Sequence, residues 1–283
     1  QSGRARYSIY LKDQIIIEAT RKKLKQELQQ AIIKNEFVIY YQPIVLISDL
    51  SIVGLEALVR WQHPTRGLLI PEDFLDVAES AGSIIDMDMM VMELAISQMK
   101  QWVTDDPSLG AFSVNVNLSA SHFGSTNIIS DIKQLLNKYE LSGKHLKIEI
   151  TETALIQSLE IMTDLITQIR ELGVSIILDD FGTGYSSLSY LHQFPIDILK
   201  IDRTFVSSMP VDSDETPIIT TIVALAAAMS MDVVAEGIED AYQLDKLRTI
   251  GCNYGQGLLF SPPLSVEQIK TLFKKGIKLA VNK

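Results

Sequence analysis

The chain has almost no cysteine: Cys252 is the only one in 283 residues. An intrachain disulfide framework is therefore excluded, which fits a reducing, cytoplasmic setting. Cys252 follows Gly251 in an apolar context and reads as a buried, inert thiol. Long apolar runs are also missing. A run such as IVALAAAM at 222–229 falls well below the ~20 residues that a membrane-crossing helix needs, so no membrane contact is expected of this stretch. Positive charge is scarce. The 25 Lys and Arg face 35 Asp and Glu, for a formal net charge of −10. A general nucleic-acid binder carries a basic face, so polymeric nucleic acid is not an expected partner. A small phosphorylated ligand stays open, provided cations offset the repulsion. No Gly-rich dinucleotide fingerprint is visible, because Gly182-Thr183-Gly184 lacks the further spacing. No internal repeat, low-complexity segment or secretory signal stands out.

What is present is globular. Hydrophobic residues make up 47% of the chain and charged ones 21%, enough for a sizeable core. Gln1-Ser2-Gly3 reads as an expression remnant, and residues 1–20 as that remnant plus the tail of a preceding domain or linker. The main domain is expected over 21–276, with a tail at 277–283. Residues 11–35 have the pattern of a charged amphipathic helix, open to a linker, a dimerisation or a simple packing role. Strand-like runs then follow at 37–47, 51–61, 112–118, 145–151, 173–180, 197–202, 232–237 and 254–260, most of them separated by helical patterns. Several runs are nearly continuous in Val, Ile and Leu, as in a sheet covered on both faces. Strand–helix alternation of this regularity predicts βαβ units. Eight strands with about seven helices favour an α/β fold closed as a (β/α)8 barrel. The first two runs are separated only by Ser48-Asp49-Leu50. That gap is hairpin-sized, so the first strand is expected to run antiparallel.

In a parallel barrel the chemistry sits at the C-terminal ends of the strands. The polar residues at those ends are Glu56, Asn117, Glu149 with Glu152, Asp179 with Asp180, Lys200 with Asp202, Glu236 and Gln256. Each has an ordinary reading when taken singly. Glu56 could be salt-bridged, Asn117 a cap, Glu152 a helix N-terminal charge, and Lys200 paired with Asp202, or Asp202 with Arg203. Their joint occurrence argues otherwise, since buried carboxylates are costly unless paired or bound to metal. All the candidate ligands are oxygen donors, which suits Mg²⁺ or Mn²⁺ rather than zinc. Adjacent Asp179 and Asp180 could serve two ions, the usual clamp for in-line attack on a phosphodiester. Lys200 could orient the attacking water. The four histidines, at 63, 122, 145 and 192, are read as surface or loop residues.

These motifs together resemble the EAL domain family of cyclic di-GMP phosphodiesterases. The chain carries EALVRW from Glu56, YQPIV at 41–45, NLS at 117–119, IEITE at 148–152, DDFGTGYSSLSYL at 179–191, LKIDRTFV at 199–206, VAEGIE at 234–239 and Gln256-Gly257. The resemblance implies a modified TIM barrel with an antiparallel first strand. It implies that Glu56, Asn117, Glu149 and Asp179 ligate one divalent ion, with Asp180 shared between two. Glu236 would serve near the second ion or as a base. Lys200 would contact the nucleophilic water, and Asp202 and Gln256 would support that shell. Gln42, Leu58 and Arg60 would contact substrate, and Glu152 would brace the 181–190 loop. It further implies a homodimer. The N-terminal stretch is similar to the tail of a GGDEF domain, so the expected parent is longer, with an upstream GGDEF or sensor domain, and is compatible with a membrane anchor. Leu258 and Pro262 depart from the family pattern, where an aromatic and a basic residue are common. The competing readings are a catalytically silent cyclic di-GMP receptor and an unrelated metal-dependent barrel enzyme.

Overall fold

The computed structural model describes residues 22–124, 127–156, 159–182, 191–209 and 216–276. The expectations for 1–20 and 277–283 lie outside the described residues, as does most of the 181–190 loop. The described residues fall in two compact units. One comes from the described residues of 22–38 and 59–89, the other from those of 39–58 and 90–276.

The larger unit holds most of the barrel. The barrel strands are β1 (Phe37–Leu46), β2 (Ile52–His63), β4 (Ser113–Asn117), β5 (Leu146–Thr151), β6 (Ser175–Phe181), β7 (Ile198–Ile201), β8 (Asp232–Ala235) and β9 (Tyr254–Gly255); residues 37–38 of β1, 59–63 of β2 and all of β3 (Gly67–Leu69) fall in the smaller unit. The strand order is β1-β9-β8-β7-β6-β5-β4-β2, and a β1–β2 pairing closes the ring. From β2 through β4 to β9 the neighbours are parallel. β1 meets β9 antiparallel, with Val45 opposite Gly255. The expected reversal of the first strand is therefore present, and the Ser48-Asp49-Leu50 link makes it. Leu50 takes a left-handed φ of 63°, and Asp49 accepts from the Ser51 amide at 3.0 Å.

Two expectations shift. The run 254–260 pairs only over Tyr254–Gly255, because the chain then turns to close on Ile238. Ile238 N–H donates to Gln256 O and Leu259 N–H to Ile238 O, each at 3.0 Å. The approach is so close that a Cβ at Gly257 would lie 2.2 Å from the Ile238 carbonyl oxygen. After α2 (Leu75–Ala81), α3 (Ile84–Asp105) and α4 (Ile128–Lys138), the pattern at 154–172 divides into α5 (Glu152–Ile156) and α6 (Leu159–Glu171). Three histidines also correct the sequence reading. His63, His122 and His145 are buried, and only His192 is exposed. The His145 ring buries its apolar edge while Nδ1 lies 2.7 Å from the Phe112 carbonyl, so a loop-like sequence context hid a satisfied core residue.

In the smaller unit β3 folds back on β2, with Trp61 opposite Leu69. At three residues it is too short to show a period in sequence. The Trp61 ring packs on Phe37 and Phe74, with centroids 5.5 and 5.9 Å away, and its indole N–H donates to Glu36 at 3.0 Å. The helix over 22–33, α1, is tied to the hairpin by Glu27–Arg66 at 2.9 Å.

Strand parity decides what faces the barrel interior. Ile177, Ile198 and Val234 share one face with residues two positions on: Asp179, Lys200 and Glu236. These aliphatics form a buried layer with Ile44. On the antiparallel β1 the order is inverted, so Gln42 comes two residues before Ile44. An aliphatic layer and a polar layer are thus stacked at a fixed offset, with the polar layer at the C-terminal ends of the parallel strands.

Candidate active site

Lys200, on β7, is the hub. It is 1% exposed, and its ammonium touches four carboxylates from four other strands or their ends. Nζ lies 2.6 Å from Glu236, 2.7 Å from Glu149, 3.4 Å from Asp179 and 3.5 Å from Glu56. Burial opposes the ammonium, yet Asp179, Glu149, Glu236 and Glu56 together hold its pKa well above the usual lysine value. The carboxyls themselves diverge. Burial pushes Glu56 up, but the Lys200 charge and hydrogen bonds from Gln256 and Asn117 override it and leave its pKa lowered. Burial and the neighbouring Glu56 raise Glu149 well above the carboxylate range, against the pull of Lys200. Burial lifts Glu236 to about 7, with Lys200 opposing and Asp179 and Glu56 adding. Carboxyls pushed apart in this way, inside one cleft, are the usual mark of a chemical site.

Around this hub, amides hold the carboxylates. Asn117 Nδ2 donates to Glu56 Oε1 at 3.2 Å. Gln256 Nε2 donates to Glu56 Oε2 at 2.5 Å and to Gln42 Oε1 at 2.8 Å, and Gln42 Nε2 reaches Ser261 O at 3.0 Å. Gln42 and Gln256, 214 positions apart, therefore belong to one chain of hydrogen bonds ending on Glu56. Asn115 Nδ2 donates to Glu149 Oε1 at 2.8 Å. Sequence reasoning missed Asn115, although its spacing of two from Asn117 places both on one face of β4.

Asp180 stands where the β6–β7 register shifts. Its φ is 56°, a conformation sparsely used by residues other than glycine, and its amide donates to Asp179 Oδ1 at 2.9 Å. Burial, then Asp179 and Asp202, raise its pKa. Glu152, buried at the start of α5, accepts from the Gly182 amide at 3.0 Å. This fastens the first turn of the loop after β6, as a bracing role requires. Residues 183–190 of that loop lie outside the described residues.

Two candidates take more local partners. Asp202 is the N-cap of α7 (Arg203–Ser207), accepting from the Thr204 amide at 3.0 Å and from the Thr204 hydroxyl. Arg60 falls in the smaller unit, where its Nη1 donates to Val59 O at 2.8 Å. Leu58 is half-buried on β2, two residues beyond Glu56. Leu258 is exposed just past Gln256-Gly257.

The donor set is chemically suited to a hard divalent cation: four carboxylates converge on a single cationic centre. Among the described residues, no three His, Cys, Asp or Glu side chains already surround an open point; the carboxylates are aimed at the Lys200 ammonium. Cys252 is buried, and its thiol is pushed up to about 12 by burial, which leaves it inert. A cleft of about 440 Å³ lined by Arg170, Val174, Ser175, Pro195 and Asp197 lies at the other ends of the strands and includes none of the site residues.

Known proteins share this architecture. The chain is 38% identical over 247 residues to MucR of Pseudomonas aeruginosa, named a bifunctional diguanylate cyclase/cyclic di-GMP phosphodiesterase, covering 87% of this chain and 36% of MucR. It is 37% identical over 262 residues to the cyclic di-GMP phosphodiesterase NbdA of the same organism, covering 92% of this chain and 33% of NbdA. It is 36% identical over 257 residues to the cyclic di-GMP phosphodiesterase PdeR of Escherichia coli, covering 91% of this chain and 38% of PdeR. The chain thus spans about a third of the length of these curated relatives. A solved MucR phosphodiesterase in complex with c-di-GMP superposes with a TM-score of 0.83 at 37% identity, covering 87% of this chain and 99% of that one. The EAL-domain model matches residues 25–263. With the barrel, its reversed first strand and the strand-end carboxylates all falling inside that match, the chain belongs to the EAL domain family.

Proposed function

We propose that the chain hydrolyses one phosphodiester bond of cyclic di-GMP to give linear pGpG, with water activated by two divalent ions, Mg²⁺ or Mn²⁺. The observation that carries this reading is the convergence of Glu56, Glu149, Asp179 and Glu236 on one cation at the C-terminal rim of the barrel. The named activities of MucR, NbdA and PdeR support the substrate.

Glu56, Asn117, Glu149 and Asp179 would hold one ion, and Asp180 would be shared with the second. When bound, the ions supply Lewis acidity at the phosphodiester and a lowered pKa for the attacking water. The chain's own residues orient groups and accept the proton. Glu236, raised to about 7 by burial, is suited to accept the water's proton near neutral pH. Lys200 Nζ, 2.6 Å from Glu236 Oε1, holds a positive charge where negative charge develops. Gln256 and Gln42 fix the far oxygen of Glu56. Asp202 and Gln256 would support the water shell, and Gln42, Leu58 and Arg60 would meet substrate. Glu152 would couple the loop after β6 to the site through Gly182. We also assign a homodimer and an upstream GGDEF or sensor domain, the latter supported by the share of MucR, NbdA and PdeR that lies outside the match.

The test is to incubate the protein with cyclic di-GMP and Mg²⁺ or Mn²⁺ and to follow pGpG by chromatography. Ion-dependent appearance of pGpG is expected. Tight binding with no turnover would sink the enzyme reading in favour of a receptor.

A further inference from the structure

We propose that Asn115 is a positioning residue for the ion site: it fixes the Glu149 carboxylate in its ligating orientation without touching ion or substrate. The inference rests on the phosphodiesterase reading for its consequences, but its geometry is independent of that reading. On β6, β7 and β8 the residue two before the polar one is aliphatic: Ile177, Ile198 and Val234, all in the buried layer beneath the site. On β4 the residue two before Asn117 is Asn115 instead. It is 1% exposed and lies in register with Glu56 on β2 and Lys147 on β5. A buried amide there costs free energy unless it is bonded, so its retention needs a partner, and the partner is specific. Nδ2 donates to Glu149 Oε1 at 2.8 Å, while Lys200 holds Oε2 at 2.7 Å.

Glu149 is thereby gripped at both oxygens by two different elements. Removal of either grip frees χ3 of a long side chain at the centre of the site. The Asn115 carbonyl oxygen has no hydrogen-bond partner, although it is fully buried. The amide is therefore incompletely satisfied and does not look optimised for stability alone. Its chemistry also fixes its orientation, since the reversed amide would face the carboxylate with oxygen. Asn115 and Asn117 form a pair at i and i+2, one securing Glu149 and the other Glu56. Outer groups that orient metal ligands typically alter ion affinity by about 10- to 100-fold when removed.

The experiment compares wild type with Asn115→Leu, which keeps the volume and deletes the donor. Mn²⁺ affinity is measured by electron paramagnetic resonance on substrate-free protein. Turnover of cyclic di-GMP is measured across Mn²⁺ concentrations, and folding by thermal melting. Mn²⁺ binding about tenfold weaker or more is expected. Activity should recover at saturating Mn²⁺, with an unchanged KM for cyclic di-GMP. A folded Asn115→Leu with Mn²⁺ affinity within about twofold of wild type would overturn the proposal, since a merely structural role lowers the melting temperature and leaves ion affinity alone. If that variant fails to fold, Asn115→Ser decides by the same Mn²⁺ readout. A wild-type chain that binds no Mn²⁺ overturns the inference. One that binds Mn²⁺ in an Asn115-dependent way but leaves cyclic di-GMP intact sinks the phosphodiesterase reading and leaves the inference standing.

Discussion

The two ends of the barrel use the same residue types and put them to different ends. At the N-terminal ends of the strands, each polar side chain has a local task. Asp197 accepts the Ile176 amide at 2.8 Å and meets Arg170 at 2.9 Å. Asn253 accepts the Val233 amide at 2.9 Å. Lys147 is largely buried, and desolvation lowers its pKa although Asp232, Glu149 and Asp197 oppose the shift. Charge there is spread out and matched to backbone donors or to exposed partners. At the C-terminal ends, four carboxylates crowd one ammonium, a ratio that no stability argument favours. Polar groups satisfied one by one hold a fold together. Polar groups of one sign that converge on a point leave charge for a ligand to complete.

The comparison can be broken at several points. The largest effect is expected from Glu56→Ala, which removes a carboxylate gripped by Asn117, Gln256 and Lys200. pGpG formation should fall by more than the 10- to 100-fold typical of an outer-shell partner, and near-wild-type turnover would remove Glu56 from the site. Lys200→Met leaves four carboxylates facing one another, and breaking such a buried pair costs about 3–5 kcal/mol. In chelator its melting temperature should drop sharply, and Mn²⁺ should restore more of it than in wild type. If Mn²⁺ gives no extra protection, the carboxylates do not form a cation site.

A third test uses pH. Burial raises Glu236 to about 7 from an ordinary 4.5, so between those values the native state binds more protons than the unfolded state. Stability of the ion-free protein must then fall as pH rises through that window. The lowered Glu56 acts below its ordinary value of 4.5 and does not cancel this. Melting in chelator from pH 4.5 to 7.5 should show the decline, and Glu236→Gln should make it shallower, with Glu149 and Asp180, also raised, contributing the rest; an unchanged slope in that variant would assign the effect elsewhere. Glu152→Ala frees the Gly182 amide and should weaken Mn²⁺ binding or dimerisation severalfold while keeping every proposed ligand. Analytical ultracentrifugation alongside an Mn²⁺ titration checks both, and no change in either removes the bracing role. The smallest functional effect is expected from Asp197→Ala at the opposite end. It should cost about 1–3 kcal/mol by orphaning a backbone donor and leave turnover per folded molecule unchanged. A loss of turnover there would mean that the two ends are coupled.

Much of this was legible before any coordinates. Strands β5, β6, β7 and β8 are aliphatic runs that carry or lead into charge at their C-terminal ends, and a run of that kind can lie in a covered sheet only if its charged end reaches a rim. The Ser48-Asp49-Leu50 gap is too short for a crossover helix, which forces the first strand to reverse. Other features were not legible. Lys200 could have paired with Asp202, its near neighbour in sequence. Instead Asp202 caps α7, because a carboxylate ahead of a helix finds free amides, and that leaves Lys200 to the carboxylates of other strands. Asn115 sits in VNVN, an alternation that reads equally as a strand with one wet face. The buried histidines looked like loop residues because a backbone carbonyl partner such as that of Phe112 carries no sequence signal.

The period, the order of strands and helices, and the placement of oxygen donors at strand ends all follow from the local alternation of apolar and polar residues along the chain. Which donors meet is settled by the folded ring. Closing the barrel brings Gln42 against Gln256 and sets Glu56, Glu149, Asp179 and Glu236 around Lys200, contacts that depend on the register between strands far apart in the chain. Local chemistry writes each strand, but a site assembled across five or six of them exists only once the ring is closed.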